Sequence, residues 1–321
     1  MSDPSNDVGL WGVPLSILAG SLQVGTPFLF VSLGECVTEK SGRVNLGLEG
    51  TLLMGAMTGF GVSYLSATKM GVSPVLAPWL GVLAAGAVGA LMGALHAVIC
   101  NRPRVNYVAV GIGMMVFGYG LASYLGTPLV KPRAPKLPDI DFAFWSESEP
   151  LRRALSVNAL FLVGLALAPL LAWMLRNTRW GLMLRLAGES EEAAAAMGYS
   201  VARIRIMATT VGGVLAGIAG SYLSLYYPGI WNERISSGQG LMAVALVIFA
   251  RWSPMRCLWA ALLFGGVSSV GQALQVQNLA SASTAYLWNT APYVLTLAIM
   301  ILTSSRARAM IGAPLELSRA R

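Results

Sequence analysis

Charge is what this sequence has least of. Its 321 residues include 22 Lys and Arg and 14 Asp and Glu, 11% of the chain, less than half the roughly 25% typical of soluble domains. That is too little to cover a water-facing surface, so a soluble enzyme and a disordered chain are excluded. Cysteine is also scarce. The three present, Cys36, Cys100 and Cys257, are too few to staple a secreted module, and each lies in or beside an apolar run as a small core residue would. His96 is the only histidine, and none of the aspartates falls in an apolar run. The buried acid and base relays on which proton-driven carriers often rely are therefore thin. None of the four lysines follows a glycine, so no G-x-x-x-x-G-K-[ST] phosphate loop exists. Gly111 and Gly113 begin a G-x-G, but Val116 stands where a dinucleotide fingerprint needs its third glycine. ATP hydrolysis is not expected from this chain.

What is present is apolar. Hydrophobic residues make up 55% of the chain and glycine contributes 36, while a span of the roughly 30 Å hydrocarbon core needs about 20 apolar residues. Apolar runs extend over 11–36, 46–67, 75–100, 107–125, 155–175, 206–226, 240–249, 257–274 and 286–303. The fold predicted is an all-α integral membrane protein, a polytopic bundle of about nine (8–10) transmembrane helices forming one domain over 1–321. The run from Gly240 to Phe249 is too short for a full span and fits a broken or re-entrant helix. No Lys or Arg precedes Lys40, so the first run lacks the basic start of a secretory signal and is expected to be retained.

The net charge of +8 is read as orientation in a lipid bilayer, with no nucleic acid partner, because the cations cluster between the runs. The segments from Lys131 to Arg153 and from Arg176 to Arg205 hold five cations each yet flank a single run, so simple counting fails. Placing the C-terminal Arg306, Arg308, Arg319 and Arg321 in the cytoplasm makes 176–205 cytoplasmic and 127–154 external, with the N-terminus outside. The external segment carries Pro128, Pro132, Pro135, Pro138 and Pro150 and is expected to be irregular and not helical. Within the runs, glycines recur four apart at Gly55 and Gly59, Gly89 and Gly93, and Gly213 and Gly217, the spacing that lets helix backbones touch in lipid.

Two segments carry candidate chemistry. From Gly34 to Gly50 the chain holds Glu35, Glu39, Lys40, Arg43, Asn45 and Glu49. It has no acid and base pair for catalysis. Either Glu35 or Glu39 pairs with Lys40 or Arg43 to secure a tight turn, or residues such as Glu35, Asn45 and Glu49 line a polar path. The second segment, 176–205, contains a strong helix former from Glu189 to Met197, stopped by Gly198. Its first-turn acids favour the positive end of a helix dipole.

Within that helix, Glu192, Ala193 and Ala194, three further residues and Gly198 resemble the E-A-A-x-x-x-G core of the coupling loop in permease subunits of bacterial ABC importers. The stretches 32–56 (SLGECVTEKSGRVNLGLEGTLLMGA), 211–225 (VGGVLAGIAGSYLSL) and 238–265 (GQGLMAVALVIFARWSPMRCLWAALLFG) are similar to blocks of the branched-chain amino acid, ribose and nucleoside permease family, in the same order. The Asn45-x-Gly47-x-Glu49-Gly50 block is nearest the nucleoside and purine-type branch. Ala250 and Arg256 stand where that family often has glycine. The resemblance implies an inner-membrane permease importing a nucleoside, nucleobase or related solute. It implies a second permease, homologous or identical, ABC ATPase subunits carrying ATP and Mg, and an external solute-binding protein. It assigns Glu192, Ala193, Ala194 and Gly198 to ATPase coupling. A permease for a sugar or branched-chain amino acid, and an ion- or proton-coupled secondary carrier, remain as alternatives. The carrier would need matched interrupted helices in an inverted repeat.

Overall fold

In a computed structural model, residues 12–130, 132–145, 148–276, 288, 290–303 and 312–319 are described. The first eleven residues and Arg306, Arg308 and Arg321, on which part of the orientation argument rests, lie outside them. Each apolar run contains a helix: α1 (Gly12–Lys40), α2 (Leu48–Lys69), α3 (Ala77–Cys100), α4 (Tyr107–Gly126), α6 (Ala159–Asn177), α9 (Val201–Leu225), α10 (Gln239–Phe249), α11 (Pro254–Val276) and α12 (Ala291–Thr303). Between them lie α5 (Glu149–Leu155), α7 (Arg179–Glu189) and α8 (Glu191–Ala196), and α13 (Leu315–Arg319) follows α12. Among the described residues α1, α3, α4, α6 and α9 are long and apolar enough to cross a membrane. The chain is a mostly helical, multi-pass membrane protein.

Helix α9 is the axis of the bundle, packed against α1, α2 and α3. Lipid tails are as apolar as leucine, so close association must come from backbone approach rather than from hiding apolar surface. The glycine pairs supply it. A Cβ built on Gly89 would overlap the carbonyl oxygen of Gly213, and one built on Gly213 would overlap that of Gly89. Only glycine on both sides lets α3 and α9 meet. Helix α1 runs antiparallel to α11 by the same means, with Gly25 against Gly265 and Gly20 against Ser269, and the Phe28 and Phe264 rings meet edge-on at 6.2 Å.

Hydrogen bonds between loops define two ends. At one end, Leu137 N–H donates to Leu225 O (3.0 Å), Ser63 Oγ donates to Pro135 O (3.3 Å) and Trp231 Nε1 donates to Gly126 O (2.8 Å). These gather the ends of α2, α4 and α9 under the proline-rich segment. That segment is more ordered than its prolines led us to expect. Strands β1 (Asp139–Asp141) and β2 (Ser156–Asn158) pair antiparallel with Ile140 opposite Val157. Helix α5 starts with Pro150 in its first turn, where proline's missing N–H costs nothing. The Arg152 guanidinium grips Asp141 at 2.8 Å and, aided by the Ala143 N–H, holds that carboxyl below the usual carboxylate range.

At the other end, Asn101 Nδ2 donates to Ala202 O (3.2 Å) and Lys40 Nζ donates to Gly312 O (3.2 Å). This end collects the last turns of α1 and α3, the first turn of α9, helices α7 and α8, and α13. Helix α10 does not reach across. After Leu225 the chain returns through irregular residues 226–238, and α10 begins in the interior, beside Glu49. The run at 240–249 is thus one short apolar helix that starts in the interior of the bundle.

Candidate functional site

The connection between α6 and α9 is built from two helices where the sequence pointed to one. Thr178 Oγ accepts from Gly181 N–H at 3.2 Å and starts α7. Its Leu184, Ala187 and Gly188 are buried. The chain breaks at Ser190, whose extended backbone and Oγ, accepting from Ala193 N–H at 3.2 Å, open α8. Ser190 thereby takes the N-cap role, and the helix expected from Glu189 begins at Glu191 instead. Gly198 closes it with φ +81°, and Tyr199 N–H reaches back to Ala194 O at 3.0 Å. The left-handed stop favours glycine because a Cβ there is strained.

Helix α8 presents a face. Ala194 is buried, whereas Glu192, Ala193, Ala196, Met197 and Gly198 are exposed, and a Cβ on Gly198 would meet nothing within 4 Å. The helix is braced from beneath by a residue seven positions beyond Gly198. Arg205, 3% exposed, extends Nη1 to Glu191 Oε2 (2.9 Å) and Nε to Ser41 O (3.2 Å), and its Nη2 lies 3.9 Å from Glu316 Oε2. One guanidinium therefore ties α8 to the turn after α1, to α13 and to α9. Arginine suits this task, since its fork of five donors can serve three acceptors at once. The sequence signal was a second arginine, after Arg203, in the first two turns of a largely apolar helix.

The polar block after α1 also turns inward. Glu35 Oε1 accepts from Asn45 N–H (2.7 Å) and Asn45 Oδ1 from Gly47 N–H (2.9 Å). This pulls residues 41–47 back along α1, so that α2 starts inside the bundle. Glu39 Oε2 accepts from Trp252 Nε1, fastening α1 to the loop before α11. Glu35 and Glu39 are one helical turn apart and fully buried. Their remaining oxygens, Glu35 Oε2 and Glu39 Oε1, are buried without a hydrogen-bond partner among the described residues. The expected turn-securing ion pairs are not formed. Lys40 goes to Gly312 O, and Arg43 lies 5.8 Å from the centroid of the Tyr107 ring. In a region with little water, each cation is better served by dipoles at the bundle's edge than by entering it.

Glu49 links the start of α2 to the start of α10. It is 4% exposed. Its Oε1 accepts from Gly238 N–H at 2.9 Å and its Oε2 from Gly240 N–H at 2.6 Å. These are the N-cap and first-turn amides of α10, and Glu49 also sits in the first turn of α2. The carboxylate thus faces the positive ends of two helices, where backbone N–H groups lack intrahelical partners. Among the described residues, no group of three or more His, Cys, Asp or Glu could hold a metal. The three cysteines are free and buried, and His96, also buried, lies 3.4 Å from Cys100 Sγ.

The geometry offers a closely packed helical scaffold with the short helix α8 exposed at one end. The chain is similar to the putative glucose ABC transporter permease protein TsgC13 of Haloferax volcanii, at 32% identity covering 82% of this chain and 79% of that one. It is similar to the nucleoside ABC transporter permease protein NupC of Lactococcus lactis at 29% identity, covering 91% and 93%. It is also similar to the guanosine ABC transporter permease protein NupQ of Bacillus subtilis at 30% identity, covering 91% and 92%. With residues 17–304 matching the model of the branched-chain amino acid transport system permease component, a span that takes in α8, Glu49 and the glycine axis together, the chain belongs to that permease family.

Proposed function

We propose that the chain is the membrane-spanning permease subunit of an ABC importer for a nucleoside, nucleobase or related small polar solute. The observation that carries this reading is α8, exposed on one face and braced by buried Arg205 on the other. Such a lever transmits the motion of a docked partner into the bundle instead of absorbing it. In this reading the end that carries α8 and α13 is the cytoplasmic one, the C-terminus is cytoplasmic and the proline-rich segment 127–154 is external. The same reading counts α10 with residues 226–238 as one traverse, so that the described helices make nine crossings of the inner membrane in one domain.

ATP and Mg belong to partner ATPase subunits, consistent with the missing phosphate loop. Closure of those subunits pushes α8 through the exposed Glu192, Ala193 and Gly198, with buried Ala194 seating the helix on the bundle. Arg205 passes the push to α1 and α9 as a rigid-body shift, switching the path between two packed states. The path lies between this chain and a second, homologous or identical permease. Glu35, Asn45 and Glu49 border it by holding α2 and α10 in place. An external solute-binding protein delivers the solute. A secondary carrier is the weaker reading, because among the described residues only one interrupted traverse is seen, not a matched pair.

The solute class rests on relatives named for nucleosides and guanosine, and one relative named for glucose keeps a sugar as the second reading. Cells lacking this chain are expected to lose energy-dependent uptake of labelled guanosine, with excess nucleosides competing for uptake in the complemented strain. Loss of glucose uptake with guanosine uptake intact would establish the sugar reading instead.

A further inference from the structure

A cavity of about 330 Å³ opens at the α8 end of the bundle. Five cations line it from four directions: Lys40 at the end of α1, Arg176 at the end of α6, Arg185 on α7, and Arg251 and Arg256 on either side of the start of α11. No acidic side chain is among the lining residues. Glu189, whose charge reaches Lys40, is exposed and lies outside it. Arg176, Arg251 and Arg256 form no ion pair among the described residues. The cavity also receives the first turn of α11 through Ser253 and Pro254, the positive end of that helix. Five like charges around one cavity, with no acidic side chain among its lining residues, cost free energy, and an anion in the cavity would relieve it.

A second feature says what kind of anion fits. A groove of about 240 Å³ adjoins the cavity, sharing Arg256 with it, and is otherwise lined by Phe249, Ala250, Trp259, Ala260 and Leu263. Trp259 is 67% exposed and Leu263 46%, so the groove runs along the outer face of α11, where acyl chains lie. A cationic cup leading into an apolar groove has the polarity of a phospholipid, with the headgroup at the edge of the bilayer and a tail along the helix.

We propose that this composite site binds an anionic phospholipid, its phosphate among Lys40, Arg176, Arg185, Arg251 and Arg256 and an acyl chain against Trp259 and Leu263. Basic recesses between transmembrane helices are suited to such headgroups because the phosphate accepts several charge-assisted hydrogen bonds. An occupant here would bridge α1, α6, α7 and α11 beside the base of α8.

The test is native mass spectrometry of the purified full chain in detergent, with phosphatidylglycerol or phosphatidylcholine of identical chains, with inorganic phosphate as competitor. The unmodified protein is expected to retain phosphatidylglycerol on the order of tenfold more tightly than phosphatidylcholine, and inorganic phosphate should not displace it. R176Q/R256Q removes two exposed cations that make no ion pair, so it should fold normally and lose that preference. R102Q/R104Q, which removes two exposed cations elsewhere at this end, should keep it. Equal retention of the two lipids, a preference that survives R176Q/R256Q, or equal loss in R102Q/R104Q would overturn the proposal. Displacement by inorganic phosphate would assign the cup to a soluble anion and overturn the lipid assignment. None of these outcomes depends on which solute is transported.

Discussion

Glu192→Lys and Gly198→Trp are expected to abolish uptake while the protein inserts at normal levels, and to weaken co-purification of the ATPase. Both positions are exposed, and neither side chain supports the bundle. Space is open around Gly198, so tryptophan there clashes with nothing in this chain and carries only the strain of a left-handed non-glycine residue, roughly 1 kcal/mol. Exposed substitutions outside an interface usually change stability by less than about 0.5 kcal/mol. A large loss of transport at unchanged abundance would therefore locate a partner surface on α8. Charge reversal at Glu192 tests the same face by a different route, without any backbone strain. If both variants transport and co-purify as the unmodified protein does, α8 is a solvated connector.

The second large effect is expected at Glu49. Glu49→Ala leaves the part-buried Gly238 amide and the buried Gly240 amide without an acceptor. Hydrogen bonds to a charged acceptor contribute about 1.5–3 kcal/mol each, so a destabilisation of roughly 3 kcal/mol or more is expected, with the start of α10 released first. Glu49→Gln keeps one acceptor oxygen but turns an NH2 donor toward an N–H, and should recover only part of the loss. Thermal unfolding in detergent gives the magnitude. Hydrogen exchange at Gly238 and Gly240 gives the location, because faster exchange confined to those amides is the mark of a lost helix anchor. Unchanged exchange and unchanged melting would show that Glu49 does not hold α10.

The contrast between α8 and Glu49 also marks what could be read before the fold was known. Apolar run length depends only on local composition, so every run from 11–36 to 286–303 contains a helix. The four-residue glycine spacing was visible for the same reason, as was Gly198 as a stop. Which helices the glycines join was not, since nothing in Gly89 names Gly213. Helix α7 was overlooked because Gly181 and Gly188 weaken its propensity, although Gly181, Leu184 and Gly188 follow a helical period and are buried. The partners of Glu49 lie 189 and 191 residues away, and Arg205 meets Ser41 across 164. Local pattern carries no trace of such pairs. Pairing Glu35 and Glu39 with nearby Lys40 and Arg43 was the natural expectation from sequence proximity. It failed because the carboxyls point into the bundle, whereas the cations reach its edge.

The account stands or falls on which side of the membrane α8 faces. In intact cells, a single cysteine introduced at exposed Ala195 is the direct probe, because the native Cys36, Cys100 and Cys257 are all buried and contribute little background. With a membrane-impermeant thiol reagent, the account predicts labelling at position 195 only after permeabilisation, and labelling of a cysteine at Pro135 without it. Labelling at 195 in intact cells, with 135 protected, would place the proposed coupling helix outside, beyond the reach of any ATPase, and contradict the account.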